Sequence, residues 1–361
     1  MLRAGLIGFP SAGKTALFQL LTSVHDAPAR GGKSDANVGV ARVPDERLDR
    51  LTALFNPRKR VPATVEFADI AGVGGKSGAQ ALLDVAPFRN ADALLHVIRM
   101  FRDPTIPHPA GSIDPARDVR AMEDELILAD LGVVERRLER LERDIKKSNT
   151  PELRKEQEIL VRCREALENG RPLRALELGA EDGKRLRGFQ FLSAKPLLLV
   201  LNLDEADLAQ ADHAVKLAGV DDFMKGAATR AVPICAKIEL EIAQLEESDR
   251  DAFMADLGLK ESGLDRVIRA SYDLLGYISF FTVGEDECRA WSIPRDTPAV
   301  LAAGEIHSDI SRGFIRAEVV RFEHLLARGS LGANREHGEL RLEGKDYVVL
   351  DGDVINFRHA T

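Results

Sequence analysis

Aromatic residues are scarce in this chain: 5% of 361 positions, with one Trp and three Tyr. Its cores must therefore be built from Leu, Val, Ile and Ala. Cysteine is equally thin. Cys163, Cys235 and Cys288 are far apart and odd in number, which excludes a disulfide framework or a Cys-x-x-Cys metal site and fits a reducing compartment. A basic excess is missing too, since 50 Lys and Arg face 58 Asp and Glu for a net charge of −8. That excludes a broadly basic nucleic-acid coat and leaves RNA contact to a local patch. No apolar run approaches the roughly 18 residues a membrane span needs. The first residues turn polar after Gly8 without the regions of a secretory leader. The expectation is a soluble, cytoplasmic protein with neither membrane nor DNA as partner.

Five short apolar runs are present, at 2–7, 65–70, 93–98, 197–201 and 232–235. They lack strict alternation, as strands do when helices cover both faces of a parallel sheet, so the expected fold class is a three-layer α/β domain. Between 115 and 194 the texture changes. Ile127, Leu131, Val134, Leu138, Leu141 and Ile145 alternate spacings of four and three, the seam of a coiled coil. Thr150 and Pro151 suit the cap and first turn of a returning helix, with Leu153, Leu160 and Leu167 seven apart. A helical hairpin inserted in the α/β domain is expected, with a basic tip at Arg136, Arg137, Arg140, Arg143, Lys146 and Lys147. After Gly276 short β-rich segments and an Asp351-Gly352-Asp353 turn mark a small α+β module. The expected domains are thus 1–115 with 190–276, an arm over 116–189, and 277–361.

Gly8-Phe9-Pro10-Ser11-Ala12-Gly13-Lys14-Thr15 matches the phosphate-loop pattern, between an apolar strand and the helical stretch starting at Ala16. In such a loop backbone N–H groups face phosphate oxygens, Lys14 reaches the β- and γ-phosphates, and the Thr15 hydroxyl binds Mg²⁺. Asp69-Ile70-Ala71-Gly72 ends the second strand, where Asp69 would hold Mg²⁺ through water and Gly72 would sense the γ-phosphate. Val73 follows, and an apolar side chain cannot orient the attacking water. The fourth run leads into Asn202-Leu203-Asp204-Glu205, where GTPases carry Asn-Lys-x-Asp. Glu205 puts the carboxylate one methylene too far for the paired guanine contact, which favours ATP. Ala236 and Lys237, after the fifth run, are expected to complete the loop over the base.

These motifs, with Val232–Glu239, Arg289-Ala290-Trp291, Gly313–Glu318 and Gly344–Val349, resemble the Obg-like ATPases of the YchF type. Those are translation-factor-class P-loop NTPases, and the likeness spans essentially the whole chain. It implies a nucleotide domain, a coiled-coil arm and a C-terminal TGS module of β-grasp fold, with preference for ATP and association with ribosomes or their RNA. It also implies that His108 takes over from the missing Gln in activating water. Three features depart from the family pattern. Ser11 stands where the pattern has Asn, Lys33 aligns with the switch-I Thr (Ser34 is its neighbour), and the stretch 72–88 is several residues short. The leading expectation is a slow ATPase, and the alternatives are a nucleotide-gated binding module with negligible turnover or a GTPase.

Overall fold

The computed structural model describes residues 3–23, 36–70, 85–226 and 228–360. Gly72, Val73, Lys33 and Ser34 lie outside them. Twelve strands are present among the described residues: β1 Arg3–Ile7, β2 Ala36–Arg42, β3 Lys59–Val61, β4 Thr64–Ile70, β5 Ala93–Arg99, β6 Leu197–Asn202, β7 Thr229–Ile234, β8 Tyr277–Thr282, β9 Glu287–Pro294, β10 Phe314–Arg321, β11 Arg341–Glu343 and β12 Asp353–His359. The chain divides into two units, Met1–Ala41 with Glu66–Leu274, and Arg42–Val65 with Leu275–Thr361.

The first unit holds a six-stranded sheet in the order β2-β4-β1-β5-β6-β7. β1 runs parallel to β4 and β5, and β5–β6 and β6–β7 are parallel as well. Every residue of β5 and β6 is buried, which is why their sequences carry no alternation. Leu94, Ile98, Leu197, Leu199 and Leu201 share one core cluster with Met122 and Leu126 from the base of the arm. Register places Arg99 beside Asn202 and Asn202 beside Ile234, so β5, β6 and β7 end level at the carboxyl ends of the sheet, with β1 ending at Ile7 beside His96.

The arm consists of helices Pro115–Lys147 and Pro151–Glu168. Asp114 and Thr150 accept hydrogen bonds from the N–H of Arg117 at 3.0 Å and of Leu153 at 3.4 Å, capping one helix each. Val134, Leu138 and Leu141 pack with Ile159, Leu160, Cys163 and Leu167, the seam that the spacing predicts. At the base the fully buried Asp130 accepts from the N–H of Leu192 at 3.0 Å and of Ser193 at 2.7 Å, and pairs with Arg89 at 3.1 Å. No described helix is long and apolar enough to cross a membrane.

The second unit holds a mixed sheet in the order β11-β10-β12-β8-β9-β3. Helix Ala299–Ile306 packs its small face, Ala299, Ala302 and Ala303, against Phe280, Phe314 and Phe357. The sequence boundaries put 42–65 with the nucleotide domain, whereas here β3 pairs with β9 and the segment packs in the second unit. The physical reason is local: Arg47 of helix Glu46–Phe55 pairs with Asp351 at 2.6 Å and lies over the Phe281 ring, while Leu48 and Leu51 are fully buried. Nothing in the composition of 42–65 marks that exchange.

Candidate functional site

The turn after β1 takes its shape from three residues with positive φ: Gly8 (+144°), Ser11 (+62°) and Gly13 (+100°). The glycines are also required by space. A Cβ on Gly8 would lie 2.5 Å from the Val97 carbonyl oxygen, and one on Gly13 would lie 2.4 Å from Asn202 Nδ2. Ser11 holds the left-handed conformation without that freedom, at the position where the family pattern has Asn, a residue that tolerates it better. Helix Lys14–Ser23 follows directly, so its first N–H groups open towards the loop.

The Lys14 ammonium donates to the carbonyls of Gly8 at 2.9 Å and Phe9 at 2.8 Å, folded over the loop it belongs to. Burial pushes its pKa down, and the Asp69 carboxylate opposes that shift. Asp69 is buried in turn. Desolvation pushes it up and the charge of Lys14 pulls it back. The two residues, 55 positions apart in sequence, therefore share one electrostatic environment. Thr15 is exposed on the first helical turn beside them and Ala16 is half-buried.

Asn202 is 4% exposed and both ends of its amide are engaged. Nδ2 donates to the Ala12 carbonyl at 3.0 Å, and Oδ1 accepts from the Ala236 N–H at 3.1 Å. The side chain thereby ties the phosphate loop to the start of helix Ala236–Gln244. No acceptor among the described residues takes the second N–H of Nδ2. Glu205 and Lys237 form an exposed pair at 2.8 Å, which uses Oε2 and leaves Oε1. Leu203 departs from the expectation of a base contact. Its side chain is buried in the core cluster under the sheet, where an apolar group loses least by being closed off.

His108, between Pro107 and Pro109, is shielded within its loop. Its side chain is 4% exposed, Nδ1 accepts from the Ala110 N–H at 3.1 Å, and Nε2 lies 2.9 Å from Asp118 Oδ2. That pattern fixes the proton on Nε2 in the neutral ring. Arg117 holds the other oxygen of Asp118 and also donates to Ser112, so the loop is tied to the arm's first turn.

Two buried polar residues were not singled out from sequence, although both interrupt the apolar run Ala93–Arg99. His96 is 1% exposed, and neither ring nitrogen has a partner among the described residues. Burial, with the nearby charge of Lys14, pushes its pKa down to about 3, so it is neutral. Arg99 ends the same strand and is 3% exposed. A His and an Arg inside a seven-residue apolar strand were the available signal.

Comparison with known proteins adds to this geometry. The family model described as YchF-GTPase_C, a protein of unknown function (DUF933), matches residues 277–360. The chain is 43% identical over 362 residues to the ribosome-binding ATPase YchF of Bacillus subtilis (strain 168), covering 99% of each. It is 40% identical over 361 residues to the ribosome-binding ATPase YchF of Escherichia coli O157:H7, covering 98% of each. The structure of the Schizosaccharomyces pombe YchF GTPase superposes with a TM-score of 0.87 at 29% identity, covering 99% of this chain and 97% of that one. With a parallel sheet ending in a phosphate loop, a coiled-coil arm and relatives matched along their full length, the chain belongs to the YchF family.

Proposed function

We propose that this chain binds ATP, hydrolyses it slowly to ADP and phosphate, and works on the ribosome in the cytoplasm; the name ribosome-binding ATPase, carried by its bacterial relatives, supports the ATPase and ribosome parts of that reading. The observation that carries the reading is the grouping of Lys14, Asp69 and the Asn202 bracket around one phosphate loop. Nucleotide contacts fall to Gly8, Ser11, Ala12, Gly13, Lys14, Thr15 and Ala16 at the phosphates. Gly72 would sense the γ-phosphate, and Asn202, Glu205, Ala236 and Lys237 would surround the base. Mg²⁺ would be held by the Thr15 hydroxyl and Asp69, hard oxygen donors that suit it, and a buried carboxylate with a raised pKa favours a nearby cation. When bound, the ion would neutralise charge on the β- and γ-phosphates. In domain terms, 1–41, 66–115 and 190–276 carry the nucleotide, while 116–189 and 277–361 reach partners.

Nucleotide competition on purified protein tests the base assignment. ATP is expected to bind at least tenfold tighter than GTP, about 1.4 kcal/mol, because Glu205 accepts from an adenine amino group and cannot pair with guanine as Asp does. Glu205→Ala, which removes the acceptor, should bring the ratio towards one. An unchanged ratio would mean that the base is read elsewhere.

His108 is assigned to activating water, and its two present hydrogen bonds require the ring to leave Asp118 or Ala110 first. His108→Ala should lower kcat at least tenfold while KM for ATP stays within about twofold. The same commitment of both nitrogens favours a second reading, a nucleotide-gated binding module with negligible turnover. A single-turnover rate unchanged in His108→Ala, with and without ribosomes, would select that second reading.

At the arm's tip Arg137 is engaged with Glu156 at 2.7 Å, so it is not free for a partner. Arg136, Arg140, Arg143, Lys146 and Lys147 are exposed. Reversing Arg140, Arg143, Lys146 and Lys147 to Glu should reduce ribosome co-sedimentation at least tenfold and flatten its salt dependence. Undiminished co-sedimentation would make the arm a scaffold and leave the C-terminal module as the contact.

A further inference from the structure

We propose that the loop following β5 contains a site for a small oxyanion of the phosphate class, separate from the phosphate loop and built on Arg99 and Arg102. Arg99 is buried, and its guanidinium is held in place by three contacts. Nε donates to the Phe101 carbonyl at 3.2 Å, Nη2 donates to the Asp103 carbonyl at 3.3 Å, and the group stacks over the Phe101 ring at 4.6 Å. None of these neutralises its charge; the counter-charge it feels is the Asp103 carboxylate, whose pKa is held down by hydrogen bonds from Thr105 and also by the Arg99 charge. Its Nη1 is closed off from water with no acceptor among the described residues, and no described carboxylate oxygen lies within ion-pairing distance. A buried cation left unpaired is strongly unfavourable, and an anion bound beside it removes that penalty.

A cavity of about 410 Å³ adjoins this group, lined by Arg99, Arg102, Asp103, His108 and Ser112 among others. Arg102 is exposed, and its backbone N–H is fixed on Asp204 at 3.1 Å, which leaves the guanidinium free to reach in. Asp103 is the one acid in the lining, and its Oδ1 already accepts from the N–H of Thr105 at 2.8 Å and its hydroxyl at 2.6 Å. The lining thus carries two guanidinium charges against one carboxylate charge, an excess of positive charge that favours an anion. Planar guanidinium donors match phosphate oxygens two at a time, which sets the ligand class. The place is also favourable, in the crevice beyond the carboxyl end of a central parallel strand. The ATPase reading is not needed for this argument.

Calorimetric titration of inorganic phosphate and, separately, of AMP into the full chain carrying Lys14→Ala tests it, since that background weakens phosphate chemistry at the phosphate loop. One-to-one binding is expected to persist there and to fall at least tenfold on adding Arg99→Gln or Arg102→Ala. The exposed Arg102 keeps the test decisive where Arg99→Gln fails to fold. Saturable binding of phosphate alone assigns the site to the free ion, and tighter binding of AMP assigns it to the phosphate of a small nucleotide. Binding that vanishes with Lys14→Ala, binding indifferent to Arg99 and Arg102, or no saturable binding each overturns the proposal. ATP affinity measured in Arg102→Ala alone keeps failure here distinct from failure of the ATPase reading.

Discussion

Lys14→Ala is expected to weaken ATP binding at least a hundredfold, about 2.7 kcal/mol. Its ammonium lies on the Gly8 and Phe9 carbonyls, and turning it towards phosphate exchanges two neutral acceptors for charged ones. Burial has already stripped much of its water, so the gain on meeting phosphate is larger than at an exposed lysine. The substitution also removes the cation that restrains Asp69, whose pKa should rise further. Any Mg²⁺-dependent part of the affinity should then require higher pH, because a protonated Asp69 cannot hold the ion. Global stability should change little, since Lys14 is half-buried and its loss opens no core cavity. Calorimetry with ATP, with a urea unfolding curve as control, checks both halves. An unchanged affinity would remove the phosphate loop from the functional reading.

Asn202→Ala should be the most damaging single change to the fold of the site. It leaves the Ala12 carbonyl and the Ala236 N–H without their partners in a buried place, a destabilisation of about 2–4 kcal/mol. Asn202→Asp is no rescue: one oxygen still accepts from Ala236, but the other meets the Ala12 carbonyl with no hydrogen between them. Gly13→Ala attacks the same contact from the other side, driving a Cβ to 2.4 Å from Nδ2 at a φ of +100°. Urea midpoints of these variants check the prediction. A loss below about 0.5 kcal/mol for Asn202→Ala, the range of an ordinary surface substitution, would show that the bracket is not structural.

Much of this was legible in the chain because its signals are local. A phosphate loop is a contiguous run whose glycines are demanded by its own turn. The arm's seam is a spacing, and its caps are single residues beside the helices they start. Buried parallel strands announce themselves as short runs without alternation. Family resemblance then joined these pieces in one architecture, and full-length relatives at 40–43% identity agree with it.

What the sequence by itself determined was therefore the α/β sheet, the phosphate loop, the coiled-coil arm and the β-rich C-terminal module. Tertiary structure decided the rest, because those features depend on which distant residues meet. Spacing alone does not say that Arg42–Val65 joins the second unit, since the partners that hold it lie at Phe281, Cys288 and Asp351. Nor does it say that Leu203 turns into the core, or that His108 is clamped by Asp118 and Ala110. The unpartnered Nη1 of the buried Arg99 is the clearest case. Its identity was in plain view, but burial and an unused N–H become facts only when the chain around it has closed.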